Sequence, residues 1–359
     1  MSWKLQYLPL HKDVESKTVL RKVAEARSAL AELKGVAPSI PNEAILINTL
    51  SLQEAKDSSE VENIITTHDE LYRSQLNLKK EIESSAAKEV QNYVSALKMG
   101  FSLVKKKNVL TNNDILVIQE TLEKNNAGFR SVPGTNLQNE ITKEIIYTPP
   151  QDSKEIINLM VNLEAYINDN EMCDMDPLIK MAIIHHQFES IHPFYDGNGR
   201  TGRIVNILYL VLNKLLDLPI LYLSRYIIQN KSEYYKLLQS VRENGEWESW
   251  ILFILDAIEK TAKQTIELIT ELKELMQIFK LELRLGYKFY SQELLNNLFK
   301  HPYTKISFLM DDLGITRQTA SVYLKDLVQD GLLEMHQVHR TKFYINTRLF
   351  ELLHRERKF

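Results

Sequence analysis

Cysteine is nearly absent: Cys173 is the only one in 359 residues. A disulfide framework within the chain and a cysteine-based metal site are both excluded, and the usage fits a reducing compartment. Glycine (11) and proline (10) are also scarce, while Leu, Ile, Glu and Lys dominate, which favours a mainly α-helical protein. Charge of one sign is lacking too. The formal net charge is −3, so nothing global points to nucleic acid or to an anionic membrane, although a local patch stays open. The start, MSWKLQYLPLHKD, has no basic residues followed by an apolar stretch, and no signal peptide is expected. The most apolar region, Ile204–Leu223, is broken by Asn206, Asn213, Lys214, Asp217 and Pro219. A membrane span needs roughly 18 or more apolar residues with few charges, so this region is expected as buried helix and loop. The expected location is cytoplasmic, with no membrane partner.

What is present is 44% hydrophobic residues, enough for two or three domains with a sizeable core. The division expected is a helical region over 1–107, a core over 108–258, a linking helix over 259–286 and a last domain over 287–359. In the first, apolar residues at helical spacing predict a helix over Val19–Leu33, ended by Gly35, Pro38 and Pro41, and a second over Glu43–Ala55. The pair Ser58–Ser59 reads as a turn ahead of a new helix from Val61. In the core, Thr111-Asn-Asn-Asp114 reads as a cap. Gly128–Pro150 reads as a short hairpin or flap, with alternation through Ile141–Tyr147. Asp176–Pro177 opens a helix to about Ser190, and another runs from near Gly199 to about Leu216. The linking helix, Glu259–Leu285, carries Ala262, Ile266, Ile269, Leu272, Met276, Phe279 and Leu283 in one stripe. That stripe is read as packing within the chain, with a homodimer contact as the alternative.

Twelve residues, His192–Arg203 (HPFYDGNGRTGR), collect what is rare elsewhere: His, Asp, Asn, two Arg and three Gly. The segment is read as a phosphate-binding and catalytic loop. Gly197 and Gly199 let backbone N–H groups approach an anion with no Cβ in the way. At a helix start those N–H groups are unpaired and the dipole favours negative charge. Asn198 can donate to a phosphate or take the left-handed turn itself. Arg200 and Arg203, three apart, leave the first helical turn in one direction and could clamp a polyphosphate. Asp196 offers a carboxylate suited to a Mg²⁺ that bridges phosphates. His192 is the candidate general base, and Phe194 a core anchor. His185, His186, Glu189 and His192 form a second candidate, a transition-metal set, but their spacing matches no familiar zinc pattern.

The segment resembles the Fic family signature, HxFx(D/E)GNGRxxR. His192, Phe194, Asp196, Gly197, Asn198, Gly199, Arg200 and Arg203 match every fixed position. The resemblance takes in FESI before the loop, SEYYKLL at Ser232–Leu238 and the Gly128–Pro150 flap, over about Thr111–Ile258. It implies a mainly α fold, a helical core with a small hairpin flap. It also implies transfer of AMP from ATP to a Ser, Thr or Tyr hydroxyl of a protein, the chain itself included, with release of pyrophosphate. By that resemblance His192 takes the hydroxyl proton and Asp196 holds Mg²⁺. Gly197, Asn198, Gly199, Arg200, Thr201, Gly202 and Arg203 hold ATP, and Tyr235 with Tyr234 borders the nucleoside. The flap would bind its target by strand addition, though its wording, VPGTNLQN, departs from the family's. The phosphorylating branch carries a lysine where Gly199 stands, so the glycine favours nucleotidyl transfer.

Ser58-Ser-Glu-Val-Glu62-Asn63 fits the same family's inhibitory motif, (S/T)xxxE(G/N), with Ser58 and Glu62 on one helix face. The resemblance implies that Glu62 pairs with Arg203 and misplaces ATP. A part for Glu62 in removing AMP stays open. At the other end, helix, helix, tight turn, helix and hairpin give the order of a winged helix-turn-helix. Arg317, Gln318, Thr319, Ser321 and Tyr323 open its recognition helix, and His336, His339, Arg340 and Lys342 lie in its wing. Gly286–Phe359 holds 11 Lys and Arg against 8 Asp and Glu, a modest excess, and leaves DNA binding and protein contact equally open. The alternative function is a nucleotide-sensing, DNA-binding regulator with little turnover.

Overall fold

The computed structural model describes residues 5–66, 84–138, 142–300, 302–338, 341–355, 357 and 359, with the backbone alone of Val338 and His354. Ile141, His339 and Arg340 lie outside the described residues. Among the described residues there are fourteen α-helices and two small antiparallel sheets. None of these helices is long and apolar enough to cross a membrane.

The centre is a helical pair, α6 (Pro177–Ile191) and α7 (Asn198–Leu212), both buried along nearly their whole length. Asp176 caps α6 through the Leu178 N–H, with proline at the first helical position. Around the pair pack α3 (Ser85–Lys107), α4 (Asn112–Glu123) and α5 (Ser153–Asn168). A full capping box starts α4: Thr111 accepts from the Asp114 N–H, and Asp114 accepts from the Thr111 N–H. Gly100 lets α3 come close to α4 and α7, since a Cβ there would lie 2.6 Å from Leu208 Cδ1 and 2.9 Å from Ile118 Cδ1. The expected flap is present as β1 (Leu137–Gln138) against β2 (Ile145–Tyr147), antiparallel.

Helix α1 (Lys17–Val36), capped by Ser16, lies along the 40-residue helix α10 (Trp247–Gly286). Lys22 ties the two, reaching Asp256 at 2.7 Å and Glu259 at 2.5 Å. The short α8 (Ser224–Gln229) and α9 (Lys231–Asn244) complete this side. Helix α10 starts twelve residues ahead of the expected Glu259, because Trp247, Trp250, Ile251, Ile254 and Ile258 continue its buried stripe. The Trp250 indole N–H donates to the Ala182 carbonyl at 2.8 Å. The stripe is covered within the chain, by α1 and then by the last domain.

That domain holds α11 (Gln292–Lys300), β3 (Tyr303–Thr304), α12 (Ile306–Leu313), α13 (Arg317–Gln329), β4 (Glu334–Val338), β5 (Thr341–Ile345) and α14 (Thr347–His354). Its sheet runs β3–β5–β4, antiparallel throughout. Gly314 makes the turn between α12 and α13 with φ 65°. The strand β3 and the helix α14 were not read from the sequence.

Two further boundaries differ from expectation. Helix α7 ends at Leu212 rather than Leu216, where Asn213 donates to the Tyr209 carbonyl and Lys214 turns left-handed at φ 56°. Ser58 and Ser59 are not a turn. They lie inside α2 (Glu43–Val61), fully buried. The helix stops after Val61, in a Schellman motif: Asn63 is left-handed at φ 62°, its N–H donates to the Glu60 carbonyl, and the Ile64 N–H donates to Ser59.

Candidate active site

The C-terminus of α2 meets the N-terminus of α7, so opposite ends of two helix dipoles face each other. The Glu62 N–H bonds to the Ser59 carbonyl, at 3.0 Å, instead of to Ser58. The Ser58 carbonyl is thereby left to accept from Arg203 Nη2 at 2.9 Å. Arg203 Nε also donates to Ser58 Oγ at 2.8 Å, and Nη2 to Glu62 Oε1 at 2.9 Å. Burial alone would push the Glu62 carboxyl up; the charges of Arg203 and Arg200 and the Arg203 hydrogen bond outweigh it and hold it below the usual carboxylate range. The spacing of Ser58, Glu62 and Asn63 now has a physical content. Two positions contact one guanidinium, and the third must tolerate a left-handed backbone, as Asn and Gly do.

Gly199 stands under the Glu62 carboxylate, and a Cβ there would collide with Glu62 Oε1. Gly197 is left-handed at φ 77°, and a Cβ there would run into Glu123. Arg200 does not share the partners of Arg203. Its guanidinium reaches Glu89 at 2.9 Å and Glu123 at 3.0 Å, with Asp196 at 3.8 Å. Glu62, Glu89, Glu123 and Asp196 thus surround two cations. Burial pushes the Glu123 carboxyl up against the pull of Arg200. The Asp196 side chain is 76% exposed, and its Oδ1 accepts from the Gly197 N–H at 2.7 Å.

Asn198 is used differently from the expected donor to phosphate. Its Oδ1 accepts from the Phe194 N–H and its Nδ2 donates to the Phe194 carbonyl, both at 2.8 Å. The amide therefore closes the loop on itself, with Phe194 fully buried against Phe129 and Phe188. Asn198→Ala leaves two buried backbone groups unpaired, and a loss of about 2–4 kcal/mol is expected. Urea unfolding measures it; a loss under about 1 kcal/mol would contradict the pinning.

His192 ends α6 in the left-handed region, φ 49°, with its N–H on the Phe188 carbonyl. Burial, then the positive charges of Arg130 and Arg242, bring its imidazole down to about 4. Arg130 was not found from the sequence. It is 1% exposed, and it donates to the carbonyls of His192 (2.6 Å), Pro150 (2.5 Å) and Ile191 (3.2 Å). It ties the flap's end to the turn that carries His192. Glu54 was missed as well. It is buried, accepts from Ser224 Oγ at 2.5 Å and Tyr93 OH at 3.1 Å, and is pushed up to about 7 by burial. With Asp57 on Arg225 at 3.1 Å, it fixes α2 in place.

Other expected residues lie elsewhere. Tyr235 is 46% exposed, but Tyr234 is a core residue, 1% exposed, whose hydroxyl bonds His185 Nε2 at 2.8 Å. Thr201 is fully buried, and Gly202 packs against Phe188 and Glu189, where a Cβ would lie 3.0 and 2.9 Å away. Gly202 thus serves the close approach of α6 to α7. His185 stacks on Trp250, and His186 Nε2 lies 3.3 Å from the Leu238 carbonyl. Among the described residues no group of three or more His, Cys, Asp or Glu comes together as a metal site. The transition-metal set is not assembled.

Three family comparisons fall on this frame. Residues 109–210 match the Fic/DOC family, residues 20–102 the Fic/DOC family N-terminal region, and residues 273–349 the C-terminal domain of SoFic-like protein adenylyltransferases. The chain belongs to the Fic/DOC family. Over 115 residues, 31% of this chain, it is 33% identical to protein adenylyltransferase Fic of Drosophila ananassae, and the match covers 21% of that protein. The chain thus spans about a fifth of the length of the curated relatives it matches. The Fic fold recurs in a Fic family protein from Desulfovibrio desulfuricans, with a TM-score of 0.62 at 19% identity, over 94% of this chain and 98% of that one. It recurs also in a Fic domain-containing signalling protein from Bacteroides thetaiotaomicron, with a TM-score of 0.53 at 18% identity, over 69% and 97%.

Proposed function

We propose that the chain is a protein adenylyltransferase that moves AMP from ATP to a protein hydroxyl, its own included, and that Glu62 holds it off. The observation that carries this reading is the Glu62 carboxylate itself, an anion seated at the start of α7 on Arg203 and over Gly199. A carboxylate fits there for the reason a phosphate would: free N–H groups, a helix dipole, a guanidinium and no Cβ.

In the reaction the acceptor oxygen bonds the α-phosphorus and the bond to the β-phosphate oxygen breaks. Pyrophosphate leaves, and the hydroxyl proton passes to His192. The neutral imidazole is the form that can take that proton, which its depressed value secures at neutral pH. The α7 start and Arg203 orient the phosphates once Glu62 has moved aside. The carboxylates around Arg200 and Arg203 make the site poor in positive charge, so a triphosphate needs a further cation. Asp196, exposed at the loop, is the side chain that would hold Mg²⁺. A Mg²⁺ that arrives on substrate phosphates needs only one or two carboxylates, and it would neutralise their charge.

Intact-mass analysis of the Glu62→Gly chain, incubated with ATP and Mg²⁺, tests the chemistry. Addition of AMP is expected. Addition of phosphate instead would overturn nucleotidyl transfer.

A further inference from the structure

The last domain carries a groove that the proposed transferase does not use. It is an open cleft of about 890 Å³, walled by the start of α12 (Lys305, Ser307), the first turns of α13 (Arg317, Gln318, Ser321) and the strand β5 (Lys342). Three of these side chains are cations, and no carboxylate lines it among the described residues. Three acids of this end of the chain are paired elsewhere. Asp312 binds Lys300 and Asn297, Asp330 accepts from Tyr287, and Glu282 on α10 holds Arg348. The cleft itself thus carries three cations and no carboxylate among the described residues.

The geometry points to double-stranded DNA as the occupant of this groove. Helix α13 is presented by its N-terminal end, the end that a recognition helix puts to base edges. Thr316 caps it, accepting from the Thr319 N–H at 3.2 Å. Arg317, Gln318 and Ser321 lie along that turn, and Gln and Arg are the side chains that pair bidentately with adenine and guanine. Lys305 and Lys342 flank the helix from two other elements, where backbone phosphates run beside an inserted helix. Lys305 is already set, its ammonium 4.2 Å over the Phe308 ring. A phosphate backbone matches cations on three walls together with Gln and Arg at a helix start; failure of the duplex to bind would leave an acidic protein surface as the occupant. The inference stands apart from AMP transfer.

Fluorescence anisotropy of the full chain with a labelled mixed-sequence duplex tests it. On a mixed-sequence duplex, with no preferred base to read, Arg317 would also rest on a phosphate; with Lys305 and Lys342 that makes three phosphate contacts and a log–log salt slope of about −2.7, so affinity is expected to fall about 40-fold between roughly 50 and 200 mM salt. The double reversal Arg317→Glu with Lys342→Glu should weaken binding at least about 10-fold at low salt and flatten the slope by about 1.8. Ser321→Glu, which adds charge to the groove without removing a cation, should weaken it too. Lys154→Glu with Lys273→Glu, on α5 and α10, should leave it unchanged. No binding at low salt overturns the inference, and so does equal loss from the α5 and α10 pair or unaltered binding by the groove variants.

Discussion

Replacing Glu62 with glycine is expected to raise incorporation of AMP by on the order of 10–10²-fold, read from radiolabelled ATP with the purified chain. The size follows from what must be broken. Detaching a carboxylate that is 34% exposed from a buried guanidinium costs less than the roughly 3–5 kcal/mol of a fully buried pair, on the order of 2–3 kcal/mol, and each 1.4 kcal/mol is a factor of about ten; the contacts that ATP makes in its place offset part of that. Arg203 is 2% exposed on its side chain and keeps Ser58 as a partner, so the variant retains its phosphate ligand while losing the competitor. Glu62→Gln keeps the shape and removes the charge, and should fall between the two. Ser58→Ala removes one of three hydrogen bonds and should do less. Equal labelling of wild type and Glu62→Gly would remove the brake from the account. A melting curve without ATP separates release from unfolding, since the freed variant should regain stability when ATP is added.

His192→Ala, made in the Glu62→Gly background, is expected to lower AMP transfer by about 10²–10⁴-fold with ATP affinity largely kept. Retained turnover would move the proton-accepting role elsewhere, whereas no AMP transfer even from the Glu62→Gly parent would favour a nucleotide-binding regulator. The pH profile gives an independent check. An imidazole brought down to about 4 is neutral through the whole range above it, and accepts a proton there. The acid limb of kcat/KM should therefore lie well below the ordinary imidazole value of about 6.5. The Glu62 carboxylate pulls the His192 value upward, so its removal should carry the limb further toward acid, not back toward neutral. A limb at 6.5 would contradict the buried environment.

Much of this was legible in the sequence because it is local. The loop from His192 to Arg203 was read from its residue types, and α1, α6 and α12 from periodicity and caps. What escaped was set by long-range partners. Nothing near Arg130 announces that its guanidinium will gather carbonyls from Pro150 and from Ile191 and His192, since backbone acceptors leave no mark in composition. Arg200 and Arg203 looked like one clamp by spacing, yet carboxylates from α2, α3 and α4 divide them. Ser58–Ser59 suggested a turn because serines favour one, but their burial inside α2 overrides that preference. Tyr234 and Tyr235 are adjacent, so only packing decides which faces the solvent.

The loop that carries His192 is tied by its own parts. Asn198 closes it on Phe194, and Arg130 holds its entry; neither bond involves Glu62. Departure of the α2 end would leave nothing there to rebuild. Switching on would then need only the α2 end to let go, a local opening of microseconds to seconds, with no further segment to reorder. If Glu62 is the brake proposed above, one contact would then govern both the onset of activity and its end.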